Sequence, residues 1–251
     1  MRLFFALTLV LLVVGCQEVE PDPEPASGFA EAAPPGATAT PASPTTPDRP
    51  VPEAGDRDEV VVLFFGDSLT AGYGLADPDD DAYPALVGEQ IAAAGVPVRV
   101  VNAGVSGETS AGGRGRIAWA LRQNRPDVFV LALGANDGLR GLPPEAMEEN
   151  LRATLDAVRE AAPDARLVVA GMEAPPNMGG GYTERFREVF PAVAEAYDAA
   201  LVPFLLEGVA GVPRLNQRDG VHPTPAGQEV LAETVGEVVV PLAREAYAEV
   251  G

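Results

Sequence analysis

The sequence predicts an α/β fold of three layers, α/β/α, around a central parallel sheet of about five strands. Three observations carry this. Continuous apolar runs recur at residues 60–65, 98–101, 128–133, 167–170 and 201–205, the pattern of strands buried on both faces. Between them lie stretches with apolar residues at helical spacing. Strand and helix alternate at least four times, which places helices on both faces of a parallel sheet.

Each element follows from local signals. The first strand, VVVLFF at 60–65, has no polar residue before Gly66. The clearest helix spans 144–161: it opens on Pro-Pro-Glu and places Met147, Leu151, Leu155 and Val158 on one face. Proline suits a helix start, and an acidic side chain there complements the helix dipole. The last helical stretch, 226–247, is expected to break near Pro241, because proline lacks the N–H that an interior turn needs. Trp119, on the helix after Gly115, is assigned to the core. Asp77, Asp79 and Asp81 alternate like calcium ligands, but Ala82 replaces the turn glycine and Gly88 the bidentate glutamate. They read as a solvated acidic loop.

The organisation before residue 59 is different. Arg2 precedes a twelve-residue stretch, 3–14, in which only Thr8 is polar. This is the pattern of a secretory signal, too short for a membrane span. Residues 1–15 are therefore read as a signal peptide. Val13-Val14-Gly15-Cys16 resembles a bacterial lipobox, which implies cleavage before Cys16 and acylation of that residue, an anchor to the cell envelope facing the periplasm or the exterior. An ordinary secretory signal that happens to hold a cysteine is the alternative. Residues 16–58 are rich in proline, alanine and acid and hold almost nothing large and apolar, the composition of a disordered tether. The folded domain is expected at 59–251.

Composition limits the partners. Net charge is −20, and from residue 59 onward 28 acids face 14 arginines. Such a surface repels nucleic acid. A salt-tolerant surface and a GC-rich coding bias account for the surplus equally well. There is no lysine, one cysteine and one histidine. A phosphate-binding loop therefore has no lysine to use, so the glycines from 104 to 115 are not a nucleotide cradle. A zinc site lacks ligands, and no metal or cofactor is expected. If the chain does acid–base chemistry near neutral pH, His222 is the side chain that does it.

Four segments place chemistry at strand ends, where parallel sheets collect ligands. GDSLTAGYG (66–74) puts Ser68 at a strand-to-helix turn, where free N–H groups favour developing negative charge. NAGVSGETS (102–110) follows the second strand and LGANDGLRG (133–141) the third. They offer a glycine amide and an asparagine amide as candidate oxyanion donors. In RDGVHP (218–223), Asp219 lies three residues before His222, close enough for its carboxylate to reach Nδ1 across a tight turn, fixing the tautomer and leaving Nε2 for a serine proton. Thr70 departs from the G-x-S-x-G elbow of the α/β-hydrolases. Asp67 and Asp137 are read as holding turns and helix starts.

These four segments, in this order, resemble the signature blocks of the SGNH (GDSL-type) hydrolase superfamily, and most resemble its bacterial thioesterase/lysophospholipase/arylesterase branch. The likeness covers about residues 60–240. It implies the flavodoxin-like version of the three-layer fold. It implies Ser68 as nucleophile, His222 as base and then acid, and Asp219 as the residue that orients His222. The oxyanion hole would comprise the Ser68 and Gly107 backbone N–H groups and the Asn136 side chain. Leu139, within 139–143, and Pro175 and Met178, within 174–182, would line an acyl pocket, the second segment as a movable lid. Ala135 and Glu173 depart from the common pattern, and Glu173 bears on substrate preference. The implied activity is cofactor-free hydrolysis of acyl esters or thioesters (lysophospholipid, fatty-acyl or aryl) by a monomer. A carbohydrate O-deacetylase of the same superfamily is the alternative, with a shallow polar pocket rather than an apolar groove. A non-catalytic ligand-binding lipoprotein is a more distant one.

Overall fold

The computed structural model describes residues 58–250. The signal segment 1–15, Cys16 and the tether up to residue 57 lie outside the described residues. Among the described residues, five strands, β1 (Val60–Gly66), β2 (Val98–Gly104), β3 (Val128–Ala132), β4 (Arg166–Ala170) and β5 (Ala200–Val202), form one parallel sheet in the order β2-β1-β3-β4-β5. Among the described residues, eight α-helices accompany them: α1 (Ser68–Ala71), α2 (Pro78–Asp81), α3 (Tyr83–Ala93), α4 (Ser110–Gln123), α5 (Ala135–Leu139), α6 (Pro144–Ala161), α7 (Gly180–Ala196) and α8 (Pro225–Val250). Helices α3 and α8 pack together on one face of the sheet, and α4, α6 and α7 on the other. The expected three layers are present.

Burial explains the apolar runs. Every residue of β1 is buried, as are all of β3. β2, at the edge, is only partly so. Phe64, Phe65 and Phe129 are fully enclosed. Each side chain of this size contributes about 1.5–3 kcal/mol by leaving water. Helix α6 has the expected bounds, with Met147, Leu151, Leu155 and Val158 buried beneath it.

The strand order positions the site. The chain leaves β1 for β2 on one side and returns to β3 on the other, so the carboxyl ends of β1 and β3 flank a crevice at the point of reversal. Ser68 follows β1 and Asn136 follows β3.

Four expectations are corrected. Helix α8 continues through Pro241 to Val250. Val239, Ala243 and Ala246 are buried on both sides of the proline, so packing holds the helix across the missing backbone bond. Trp119 is 58% exposed. Helix α4 buries Ile117, Ala120 and Leu121, and position 119 falls on its outer face. The acidic run forms the one-turn helix α2, with Pro78 in its first turn and no buried residue. The run at 201–205 is strand only as far as Val202.

Candidate active site

Ser68 opens α1 directly after β1. Asp67 caps that helix, its Oδ1 accepting the Leu69 amide at 3.0 Å, so the amides of the first turn have no partner within the helix. The turn is tight because β2 presses on it: a Cβ on Gly104 would lie 2.3 Å from the Ala71 nitrogen. Ser68 is 8% exposed.

His222 and Asp219 arrive on the loop between β5 and α8. The Ser68 Oγ lies 2.9 Å from His222 Nε2, across 154 positions of sequence. On the far side of the ring, Asp219 Oδ2 lies 2.7 Å from Nδ1. Asp219 Oδ1 accepts the Val221 and His222 amides at 2.9 and 3.1 Å. The His222 hydrogen bond, followed by those two amides, draws the Asp219 carboxyl down to about 2. An ionised carboxylate has only acceptors, so Nδ1 carries the ring hydrogen and Nε2 presents a lone pair to Ser68.

Gln217, which lies outside the four segments, and Tyr73, within GDSLTAGYG, secure this loop. The Gln217 backbone N–H donates to the His222 carbonyl at 2.7 Å, and its side-chain amide donates to the carbonyls of Tyr73 and Pro223 at 2.7 and 3.0 Å. The Tyr73 ring covers the imidazole with its centroid 4.6 Å away. Gln217 thus ties the segment after Ser68 to the segment that carries His222.

The expected oxyanion donors converge on one cavity. Ser68, Gly107 and Asn136 line the same space as His222 and Asp219. Gly107 adopts φ 77°, a conformation that glycine enters without steric cost. Asn136 Nδ2 donates to Asp67 Oδ2 at 3.3 Å. Burial pushes the Asp67 carboxyl up to about 6, against the lowering effect of the Leu69 and Asn136 amides. Asp137 is also buried and accepts both the amide and the hydroxyl of Ser110, at 2.8 and 2.6 Å, which fixes the start of α4.

The cavity has a volume of about 640 Å³. Leu139 and Pro175 line it, as expected. Met178 does not: it packs onto Gly141, where its Cε lies 2.7 Å from the place a Cβ would occupy. The expected lid is partly regular structure. Pro176–Met178 forms a 3-10 turn and Gly180 and Gly181 open α7. The Tyr182 hydroxyl donates to the Leu142 carbonyl at 2.8 Å, joining this segment to the one after β3. A further wall went unread in the sequence. Phe204 and Leu206 line the cavity, while Leu205 between them points into the core at 0% exposure. This wall exists because β5 stops at Val202. Among the lining residues, the carboxylates are Glu173 and Asp219, and there is no arginine.

This arrangement can transfer a proton from a hydroxyl to an imidazole beside an acyl-sized apolar space. Comparison with known proteins points to ester hydrolysis. Residues 64–230 match the model of the GDSL-like Lipase/Acylhydrolase family. The chain is 42% identical over 181 residues to Esterase TesA of Pseudomonas aeruginosa, covering 72% of this chain and 88% of that one. It is 36% identical over 181 residues to the Thioesterase 1/protease 1/lysophospholipase L1 of Escherichia coli K12, covering 72% and 84% respectively. A crystal structure of TesA superimposes with a TM-score of 0.68 at 41% identity, covering 72% of this chain and 99% of that chain.

Proposed function

The chain belongs to the GDSL-like lipase/acylhydrolase family, and from that premise we propose that it hydrolyses acyl esters through a covalent acyl-Ser68 intermediate. The observation that carries this is the continuous Ser68–His222–Asp219 relay, 2.9 and 2.7 Å long, at the wall of an apolar cavity.

His222 Nε2 takes the Ser68 proton as Oγ attacks the ester carbonyl. The carbonyl π bond becomes an oxyanion, which the Ser68 and Gly107 amides and the Asn136 side chain stabilise. The intermediate collapses, the bond to the alcohol breaks, and His222 returns its proton to the leaving oxygen. Water then attacks the acyl-Ser68 carbonyl, again losing its proton to His222. The second intermediate collapses, the acyl–Oγ bond breaks and His222 gives its proton to Oγ, which releases the acid and restores the Ser68 hydroxyl. Asp219 stays ionised throughout and holds the imidazole in place.

The substrate class is an ester or thioester with an acyl chain longer than acetyl, of the fatty-acyl, aryl or lysophospholipid type. Phe204, Leu206, Met172 and Leu139 supply an apolar wall that an acetyl group would not need, which favours this reading over carbohydrate O-deacetylation. Initial rates on acetyl, butyryl and octanoyl p-nitrophenyl esters test it. A kcat/KM that rises with chain length supports the acyl pocket, and a preference confined to acetyl contradicts it.

We also propose that Cys16 is acylated and anchors the domain to the cell envelope through residues 16–58, without nucleic-acid partners and as a monomer. The support is the apolar run 3–14 ahead of Gly15-Cys16 and the proline-rich composition after it. Cys16→Ser should move the enzyme from the membrane fraction to the soluble one. Retention in the membrane fraction would contradict the anchor.

A further inference from the structure

Arg116, on α4, takes no part in the relay, yet its guanidinium reaches two backbone carbonyls and one carboxylate around the site. Its Nε donates to both carboxylate oxygens of Glu108, at 2.7 and 2.8 Å. Its Nη2 donates to the Ala103 carbonyl at 2.8 Å, to the Gly66 carbonyl at 3.3 Å and to Glu108 Oε2. Its plane lies over the Phe65 ring, with Cζ 3.9 Å from the centroid.

The acceptors are not scattered. Gly66 ends β1, two residues before Ser68. Ala103 is the last residue but one of β2, and Glu108 follows Gly107 directly. The segment 104–107 is therefore held at both ends by the same side chain that holds the end of β1. The Val105 amide adds a bond to the Gly66 carbonyl at 3.0 Å. We propose that Arg116, acting through Glu108, is a positioning residue that sets the Ser68 and Gly107 amides at the spacing needed to receive one oxyanion. This rests on the assignment of those two amides to the oxyanion hole.

The chemistry requires arginine. A planar fork of five donors can bind a carboxylate at two points, reach two carbonyls and stack on a ring together, whereas a lysine ammonium is a point charge on a flexible stem. The pair is also withdrawn from water, with side-chain exposures of 20% for Arg116 and 8% for Glu108. Electrostatic contacts there are stronger and more rigid than at the surface. Arg140 Nη2 donates to the Gly107 carbonyl at 2.8 Å, in an exposed contact. Oxyanion donors act at about 2.7–3.1 Å, and a site held loosely by about 1 Å loses much of its rate.

If the pair were only a stabilising salt bridge, its loss would lower melting temperature and active fraction without changing the chemistry of molecules that fold. The two roles separate when Arg116→Lys and Glu108→Gln are compared with the parent on p-nitrophenyl butyrate. Rates are expressed per active site titrated with a fluorophosphonate, and inhibition by butylboronic acid is measured alongside, because its tetrahedral adduct on Ser68 places an oxygen in the hole. The expected result is a 10–100-fold fall in kcat for Arg116→Lys and a smaller fall for Glu108→Gln, which keeps both carbonyl contacts. KM should change less than threefold, and the boronic acid Ki should rise by a factor similar to the loss in kcat. Unchanged kcat per active site (within twofold), or an unchanged boronic acid Ki, overturns the proposal. If Arg116→Lys does not fold, Glu108→Gln decides by the same criteria, with a fall in kcat above threefold required. Ser68→Ala in the same assays keeps the outcomes distinct: activity surviving that change defeats the serine mechanism, whereas its loss beside normal Arg116 and Glu108 variants defeats only the positioning role.

Discussion

The Asp67 carboxylate lies between the nucleophile's helix and the Asn136 amide: Oδ1 accepts the Leu69 N–H at 3.0 Å and Oδ2 accepts Asn136 Nδ2 at 3.3 Å. One N–H of the Asn136 amide is thereby occupied, which orients the other. Asp67→Asn would place one amide NH2 against another, and Asn136 would have to rotate. We expect kcat to fall about tenfold or more with KM little changed, a partial loss of one oxyanion donor. Steady-state kinetics on p-nitrophenyl butyrate check this, and an unchanged kcat would remove Asp67 from the site's support.

The same residue sets a pH dependence of stability. Burial raises its carboxyl from 3.8 to about 6, so the folded chain holds this proton more tightly than the unfolded one. Its contribution is therefore most favourable below pH 3.8 and declines as pH rises to about 6, by roughly 3 kcal/mol at most. Urea unfolding of parent and Asp67→Asn at pH 4 and pH 7 should show the variant gaining stability relative to the parent at the higher pH. Parallel curves would contradict the buried proton.

Asp219 behaves in the opposite sense. Its carboxyl is drawn down to about 2 by His222 and two amides, so the stability it contributes is complete above pH 3.8 and is lost as pH falls toward 2. Its larger role is catalytic. Asp219→Asn can offer an N–H to Nδ1 and favour the wrong tautomer, and a fall in kcat on the order of 10³–10⁴-fold is expected. A fall below tenfold would mean that the ring is oriented by Gln217 and Tyr73 instead.

Asn136→Ala removes a donor while leaving the acyl wall intact. Its kcat should fall about 10²–10³-fold with KM near that of the parent. A rise in KM with kcat preserved would place Asn136 in ground-state binding.

Charge and shape of the cavity give a substrate-level expectation. Glu173 and Asp219 face the space without a lining arginine, so an ester carrying a carboxylate on its leaving group should react more slowly than its neutral p-nitrophenyl analogue. Glu173→Gln should narrow that gap severalfold at low salt and less at high salt. Leu206→Ala should lower the octanoyl-to-acetyl ratio of kcat/KM about fivefold or more, through lost apolar contact. Ratios unchanged in both variants would place the substrate elsewhere.

The sequence made some of this legible for identifiable physical reasons. Helix α6 shows its periodicity and its proline start without ambiguity, and the relay emerges because Ser68, Asp219 and His222 each sit in a short motif with a required neighbour. Phe204 and Leu206 were hidden because an apolar run reads as strand wherever it ends. Trp119 was misplaced because size suggested burial, while helix phase placed it outside. Pro241 was read by its missing N–H, without the packing that holds α8 through it. Arg116 and Gln217 were silent because their acceptors are largely backbone carbonyls, which every residue has. Only the fold makes those carbonyls converge.

The most direct test is to treat the folded domain with a fluorophosphonate and map the modified peptide by mass spectrometry, alongside His222→Ala at the same dose. The expected result is a single adduct on Ser68 that grows with loss of activity and is nearly absent in His222→Ala. An adduct on another residue, or full activity with Ser68 unmodified, would contradict the Ser68–His222 relay.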